Sequence, residues 1–119
     1  MEITQHKESG TNISEITGDG FIISSADDIM DIIGNIYYTT ESDKIIIHEE
    51  NIVPDFFDLS NRMAGEILQK ISNYRIRLAI VGDFAKFTKK SIKDFIYESN
   101  KTGRINFVES VAEAIRKLS

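Results

Sequence analysis

Two short apolar stretches decide the fold of this chain: KIIIH at residues 44–48 and RLAIV at residues 77–81. Both are too short for a helix and apolar on both faces, which favours central strands of a sheet that is covered on both sides. Between them, apolar residues at helical spacing predict a long helix from Leu59 to near Asn73. A strand, a helix and a second strand in this order imply a crossover between parallel strands. These stretches therefore predict an α/β fold.

The segments around this unit extend the alternating pattern. A polar, Gly-containing turn at residues 8–12 predicts a hairpin with strands near residues 2–8 and 12–17. Ser24 or Ser25 should then cap an amphipathic helix, whose apolar face comprises Ala26, Ile29, Met30, Ile33, Ile36 and Tyr37. A third helix from near Thr88, a strand at residues 105–108 and a last helix opened by a capping box at residues 110–113 complete the chain. The predicted order is β-β-α-β-α-β-α-β-α.

Composition limits the possible classes of protein. A chain of 119 residues with 41% hydrophobic residues and no cysteine fits one domain, residues 1–119, without disulfides or thiolate metal sites. Its start has no export signal, and its apolar runs are far shorter than the ~20 residues of a membrane span. The net charge is −5 and the basic residues are scattered, so we expect a cytoplasmic protein that binds neither membrane nor nucleic acid. We expect a monomer, or a weak homodimer that pairs at the edge of the first hairpin.

Titratable residues gather where the two central strands end. In open α/β sheets, functional groups collect beyond the carboxyl ends of the strands, and here these residues are His48, Glu49, Glu50, Asp55, Asp58 and Asp83. Carboxylates and imidazole can bind a small molecule or a metal ion, or exchange protons in an enzyme. Adjacent strand residues point to opposite faces, however, and acidic groups also cap helices. We expect no metal and no cofactor, and keep such a site as the alternative function.

The segment PDFFDLS, residues 54–60, leads into the predicted long helix. Asp58 or Ser60 can cap that helix, and a phosphate on Ser60 would lie beside the exposed amides of its first turn. Phe56 and Phe57 are both expected in the core, although an exposed ring would mark a partner surface. The sequence contains no G-x-S-x-G elbow, Walker loop or G-x-G-x-x-G motif, and we expect no catalytic residue.

The strand order and the loop before the long helix resemble the STAS domain of the anti-sigma-factor antagonists. That family has an acidic residue at the end of the third strand and, eight residues later, an Asp that follows an aromatic-aliphatic pair. Glu50, Asp58 and the pair at residues 56–57 occupy these positions. The resemblance implies a STAS-like fold and places the family's phosphorylated hydroxyl at Ser60. This sequence differs from the motif at Leu59, Asn61 and Arg62, where the family has a hydroxyl residue, a glycine and the residue after that glycine.

The chain also resembles an uncharacterised domain family of bacteria and archaea, with which it shares five blocks. They are IIIHEEN at 45–51, PDFFDL at 54–59, GEILQK at 65–70, LAIVGDF at 78–84 and FIYESN at 95–100. This second resemblance implies no activity. The STAS resemblance implies a non-catalytic regulatory domain that binds a protein partner through residues 49–61 and the following helix. The expected partner-binding residues are Glu50, Asn51, Asp55, Phe57, Asp58, Ser60 and Asn61.

Overall fold

The strands form one mixed sheet in the order in which they occur along the chain. The computed structural model describes residues 1–8 and 10–119, and in them five strands are present: β1 (Glu2–Glu8), β2 (Thr11–Thr17), β3 (Lys44–His48), β4 (Arg77–Val81) and β5 (Ile105–Val108). β1 pairs antiparallel with β2, and every later pair is parallel. The predicted mixed five-stranded sheet is confirmed. Ser9, in the predicted hairpin turn, lies outside the described residues.

The helices also follow the predicted order. The described residues contain four α-helices: α1 (Ala26–Thr40), α2 (Met63–Asn73), α3 (Lys90–Thr102) and α4 (Val111–Leu118). Three short 3₁₀ helices, at Glu49–Asn51, Pro54–Phe57 and Leu59–Asn61, lie between β3 and α2. No helix among the described residues combines the length and the apolar character that a membrane crossing requires.

The two faces of the sheet are covered unequally. Because side chains alternate along a strand, Ile45 and Ile47 face a large core formed with α1, α2 and α3. Ile46 faces the other side, where it packs with Ile13 and with residues of α4. The apolar runs of β3 and β4 therefore have the two-sided burial that their sequences predict. One short helix covers the second face.

The second helix begins later than predicted. The pattern placed Leu59 in its first turn, but α2 starts at Met63 because Arg62 adopts a left-handed conformation with φ of 67°. The side-chain oxygen of Asn61 accepts the Met63 N–H at 2.9 Å, as a cap would. Ser60 therefore lies in the third 3₁₀ helix, before the start of α2, and the prediction that Asp58 or Ser60 caps α2 is wrong, because Asn61 supplies that contact.

Two other helix predictions needed correction. Tyr37, expected on the buried face of α1, is 59% exposed, and Ile32 is buried instead. The third helix begins at Lys90 rather than near Thr88. In α4 the predicted cap forms, since the Glu113 N–H donates to Ser110 Oγ at 3.1 Å.

Candidate functional site

The parallel strands β2 to β5 end at one edge of the sheet, which we call the carboxyl edge. Two loops occupy it: residues 49–61 after β3 and residues 82–89 after β4. The 49–61 loop is built from three consecutive 3₁₀ helices, each closed by backbone hydrogen bonds such as Phe56 N–H to Val53 O at 3.1 Å. Pro54 starts the second of them, where its fixed φ suits a helical turn. The loop thus has a regular hydrogen-bonded backbone.

Five of the predicted partner-binding residues lie exposed on this loop: Glu50, Asp55, Asp58, Ser60 and Asn61. Asp58 and Ser60 contact each other, because the Ser60 hydroxyl donates to Asp58 Oδ1 at 2.7 Å and the Ser60 N–H donates to the same oxygen at 3.2 Å. The hydroxyl bond is the main reason that the pKa of Asp58 lies below its ordinary value. Asn61 is partly structural, since its amide also donates to Asp55 O at 2.7 Å.

The other two predicted partner-binding residues are not free surface residues. Asn51 is only 2% exposed, and its amide donates to Gly18 O at 2.9 Å and Gly20 O at 2.8 Å. It holds the turn after β2 against the 49–61 loop, so its assignment to the partner surface is wrong. Phe57 is half-buried and packs against the core, as expected, while Phe56 is fully buried.

Phenylalanines join the two loops of the carboxyl edge. Phe57 stacks on Phe87 with ring centroids 4.6 Å apart and an interplanar angle of 20°. Phe84 makes an edge-to-face contact with Phe107 of β5 at 5.1 Å. Such pairs add about 0.5–1.5 kcal/mol each beyond the burial of their area. The 82–89 loop is therefore anchored to the 49–61 loop and to the core.

Glu49 connects the same loops through polar contacts. Its carboxylate accepts the Asp83 N–H at 3.2 Å and forms an ion pair with Lys86. Gly82 lies directly below it, where a Cβ atom would be 2.6 Å from Glu49 Cβ. Glu49 can hold this position because residue 82 has no side chain.

Four residues of the alternative acidic and histidine site contact separate partners. His48 turns towards β2, Glu49 pairs with Lys86, and Asp58 binds Ser60. Asp83 is exposed, and one of its side-chain oxygens accepts the Ala85 N–H at 3.2 Å. In the part of the chain that the structure describes, no group of three or more histidine or acidic side chains could hold a metal ion. The interpretation of these residues as one metal-ligand set is wrong, because each of these four side chains has its own partner.

Both histidines of the chain instead flank Glu15, a residue that the sequence patterns did not single out. His6 Nε2 lies 2.7 Å from Glu15 Oε1, and His48 Nε2 lies 2.7 Å from Glu15 Oε2. The three side chains come from β1, β2 and β3 and lie on the sheet face that α4 covers. Burial raises the pKa of Glu15, but the hydrogen bonds from His48 and His6 and their charges outweigh it, so the pKa is lowered overall. A correct pairing register for β1 and β2 would have been needed to find this cluster.

Comparison with known proteins places the chain in a family. No curated protein and no solved structure matches it. One family pattern matches residues 8–118, which is almost the whole chain and includes both loops of the carboxyl edge. The shared blocks quoted above fall within this match, so the expected relation to an uncharacterised domain family is confirmed. The chain belongs to the family described as "Domain of unknown function (DUF4180)".

Proposed function

We propose that this chain is a non-catalytic, STAS-like regulatory domain that binds a protein partner through the 49–61 loop and the start of α2. The observation that carries the proposal is the combination of exposed polar residues and a regular backbone in this loop. Because the loop is held by its own 3₁₀ hydrogen bonds and by the Phe57–Phe87 stack, binding would order few additional residues. A partner would meet a surface that is already arranged.

A groove beside the loop enlarges this surface. It lies between α2 and α3 and has a volume of about 600 Å³. Its walls combine apolar and polar side chains, as interfaces commonly do, and comprise Leu59, Arg62, Gly65, Glu66, Gln69 and Phe95. The groove continues the exposed loop towards the start of α2, which supports a partner that contacts both.

The order of elements and the Asp58–Ser60 contact support the STAS-like assignment. Ser60 is exposed and its hydroxyl is oriented by Asp58, in the position where the STAS resemblance places a phosphorylated residue. A phosphate there would bring negative charge next to the Asp58 carboxylate and would replace the hydroxyl bond. Phosphorylation of Ser60 would thus change the same surface and is the regulation that we propose.

Site-specific photo-crosslinking in the native host tests partner binding. A photoreactive amino acid at Asp55 should crosslink one discrete partner, whereas the same group at Lys101, exposed near the end of α3, should not. The identified partner should then bind the purified domain, and Asp55→Lys should weaken that binding. If both positions crosslink alike, or if Asp55→Lys leaves the affinity unchanged, the proposal is wrong.

Intact-mass measurement tests the regulation separately. The domain isolated from its native host should carry one added phosphate, which disappears in Ser60→Ala. A phosphate that remains in Ser60→Ala, or none under any growth condition, would reject Ser60 as the regulated residue.

A further inference from the structure

A second cleft at the carboxyl edge combines carboxylates with aromatic rings. It has a volume of about 250 Å³ and lies between the two loops, and its principal side chains are Phe21, Glu49, Glu50, Phe57, Lys86 and Phe87. Phe21 is 59% exposed although it is a large apolar residue. Two acidic groups and three rings around one small cleft make an environment that suits a positive charge.

The cleft already contains such a charge from this chain. The Lys86 ammonium pairs with the Glu49 carboxylate and lies 5.5 Å from the centre of the Phe87 ring. Lys86 thus makes, within the chain, the contacts that a bound cation would make. These contacts show that the cleft accommodates a cationic group beside a carboxylate and an aromatic ring.

Lys86 is also easy to displace. Its side chain is 54% exposed, whereas that of Glu49 is 15% exposed. The ammonium thus keeps much of its contact with water, and an ion pair of such a group contributes little to stability. The Glu49 carboxylate would keep its contacts, since another cation in the cleft would replace the ammonium and the Asp83 N–H would still donate to it. The side chain of Lys86 can therefore move into solvent when a competing cation arrives.

We propose that this cleft receives a lysine or arginine side chain of the protein partner, which displaces Lys86 from Glu49 and the Phe87 ring. The inference rests on the proposed function and specifies the chemistry of the partner. Charge complementarity supports it, because Glu49 and Glu50 line the cleft and the whole chain carries a net charge of −5. The cleft adjoins the 49–61 loop through Glu50 and Phe57, so one partner can contact both surfaces.

NMR titration with a small cationic probe tests the cleft directly. The probe is Nα-acetyl-lysine amide, and the reporters are the backbone amides of Asp83 and Phe87. Lys86→Gln should bind the probe about two- to fivefold more tightly than the wild-type domain, because the internal competitor is gone. Lys93→Gln removes the same charge from an exposed position on α3 and should leave the affinity near that of the wild type.

Two further measurements complete the test. Glu49→Gln added to Lys86→Gln should weaken binding, and the doubly acetylated, uncharged probe should not shift the two amides. The inference is wrong if the cationic probe gives no saturable shift at these amides in Lys86→Gln. It is also wrong if Lys93→Gln tightens binding as much as Lys86→Gln, since net charge alone would then explain the effect.

The outcomes separate this inference from the proposed function. If a partner crosslinks at residue 55 but binds Lys86→Gln and the Glu49→Gln double variant equally, the cleft is not used and the proposed function remains. If the probe occupies the cleft as expected but no partner crosslinks at residue 55, the cation site remains and the proposed function is wrong.

Discussion

Gly82 lies so close to Glu49 that a Cβ atom at residue 82 would be 2.6 Å from Glu49 Cβ and 3.1 Å from the Phe84 ring. Residue 82 must therefore be glycine if Glu49 is to bridge the two loops. The contact is steric, since the φ of Gly82 is not positive.

We predict that Gly82→Ala lowers the free energy of unfolding by about 1–3 kcal/mol, because the added methyl group forces Glu49 and the loop apart. Chemical denaturation measures the effect. Gly34→Ala, in the middle of α1, is a matched control: apart from the chain neighbours and the backbone of that helix, no atom lies within 4 Å of the added Cβ. It should raise stability by about 1 kcal/mol. Equal effects of both substitutions would contradict the steric role of Gly82.

Asn51 should be required for folding rather than for binding. Asn51 is buried, and Asn51→Ala removes the amide that donates to the carbonyl groups of Gly18 and Gly20, so we expect a loss of about 1–3 kcal/mol in thermal or chemical denaturation. Asn35→Ala removes an amide from an exposed position within α1 and should not lower stability, since alanine favours a helix. A stable Asn51→Ala variant that fails only in partner binding would contradict this assignment.

Glu15 should make stability depend on pH in the acid range. Its folded-state pKa lies below the ordinary value of 4.5, so its contribution is complete above that value and is lost as the pH falls through the lower, folded-state pKa. Glu15→Gln should reduce stability at neutral pH by about 1–3 kcal/mol. The difference from the wild type should then shrink on acidification.

Denaturation curves between about pH 5 and about pH 3 measure this dependence. Glu50→Gln is the control, because it removes the same charge from an exposed position and should change stability by less than about 0.5 kcal/mol. A difference between Glu15→Gln and the wild type that does not change over this range would contradict the prediction.

The protein should be less stable with arginine at residue 62 than with glycine there. It has a φ of 67° immediately before α2, and a left-handed conformation costs a residue with a side chain about 1–2 kcal/mol. Arg62→Gly should raise the free energy of unfolding by up to about 1 kcal/mol, because the unfolded state gains some entropy in return. Arg62→Ala keeps the strained backbone and should show no gain. If alanine stabilises as much as glycine, the effect comes from the side chain.

Local patterns predicted most of the architecture. The isoleucine run of β3 and the aliphatic run of β4 identify central strands, and the 3.6-residue spacing in residues 63–71 identifies α2. The predicted ends of helices were less accurate where a single backbone conformation decides them. The start of α2 depends on the left-handed conformation of Arg62 and on the cap contact of Asn61. A glycine at residue 62 would have indicated such a conformation in the sequence, but an arginine does not.

The sequence by itself determined the five strands, the four α-helices and their order, because these follow from contacts between residues close in the chain. Only the tertiary structure decided which polar residues meet. His6 and His48 reach Glu15 through the strand register, Asn51 turns inward to the Gly18–Gly20 turn, and Lys86 enters the cleft beside Glu49. These contacts join residues far apart in the chain, and their geometry depends on how the loops pack once the sheet has formed.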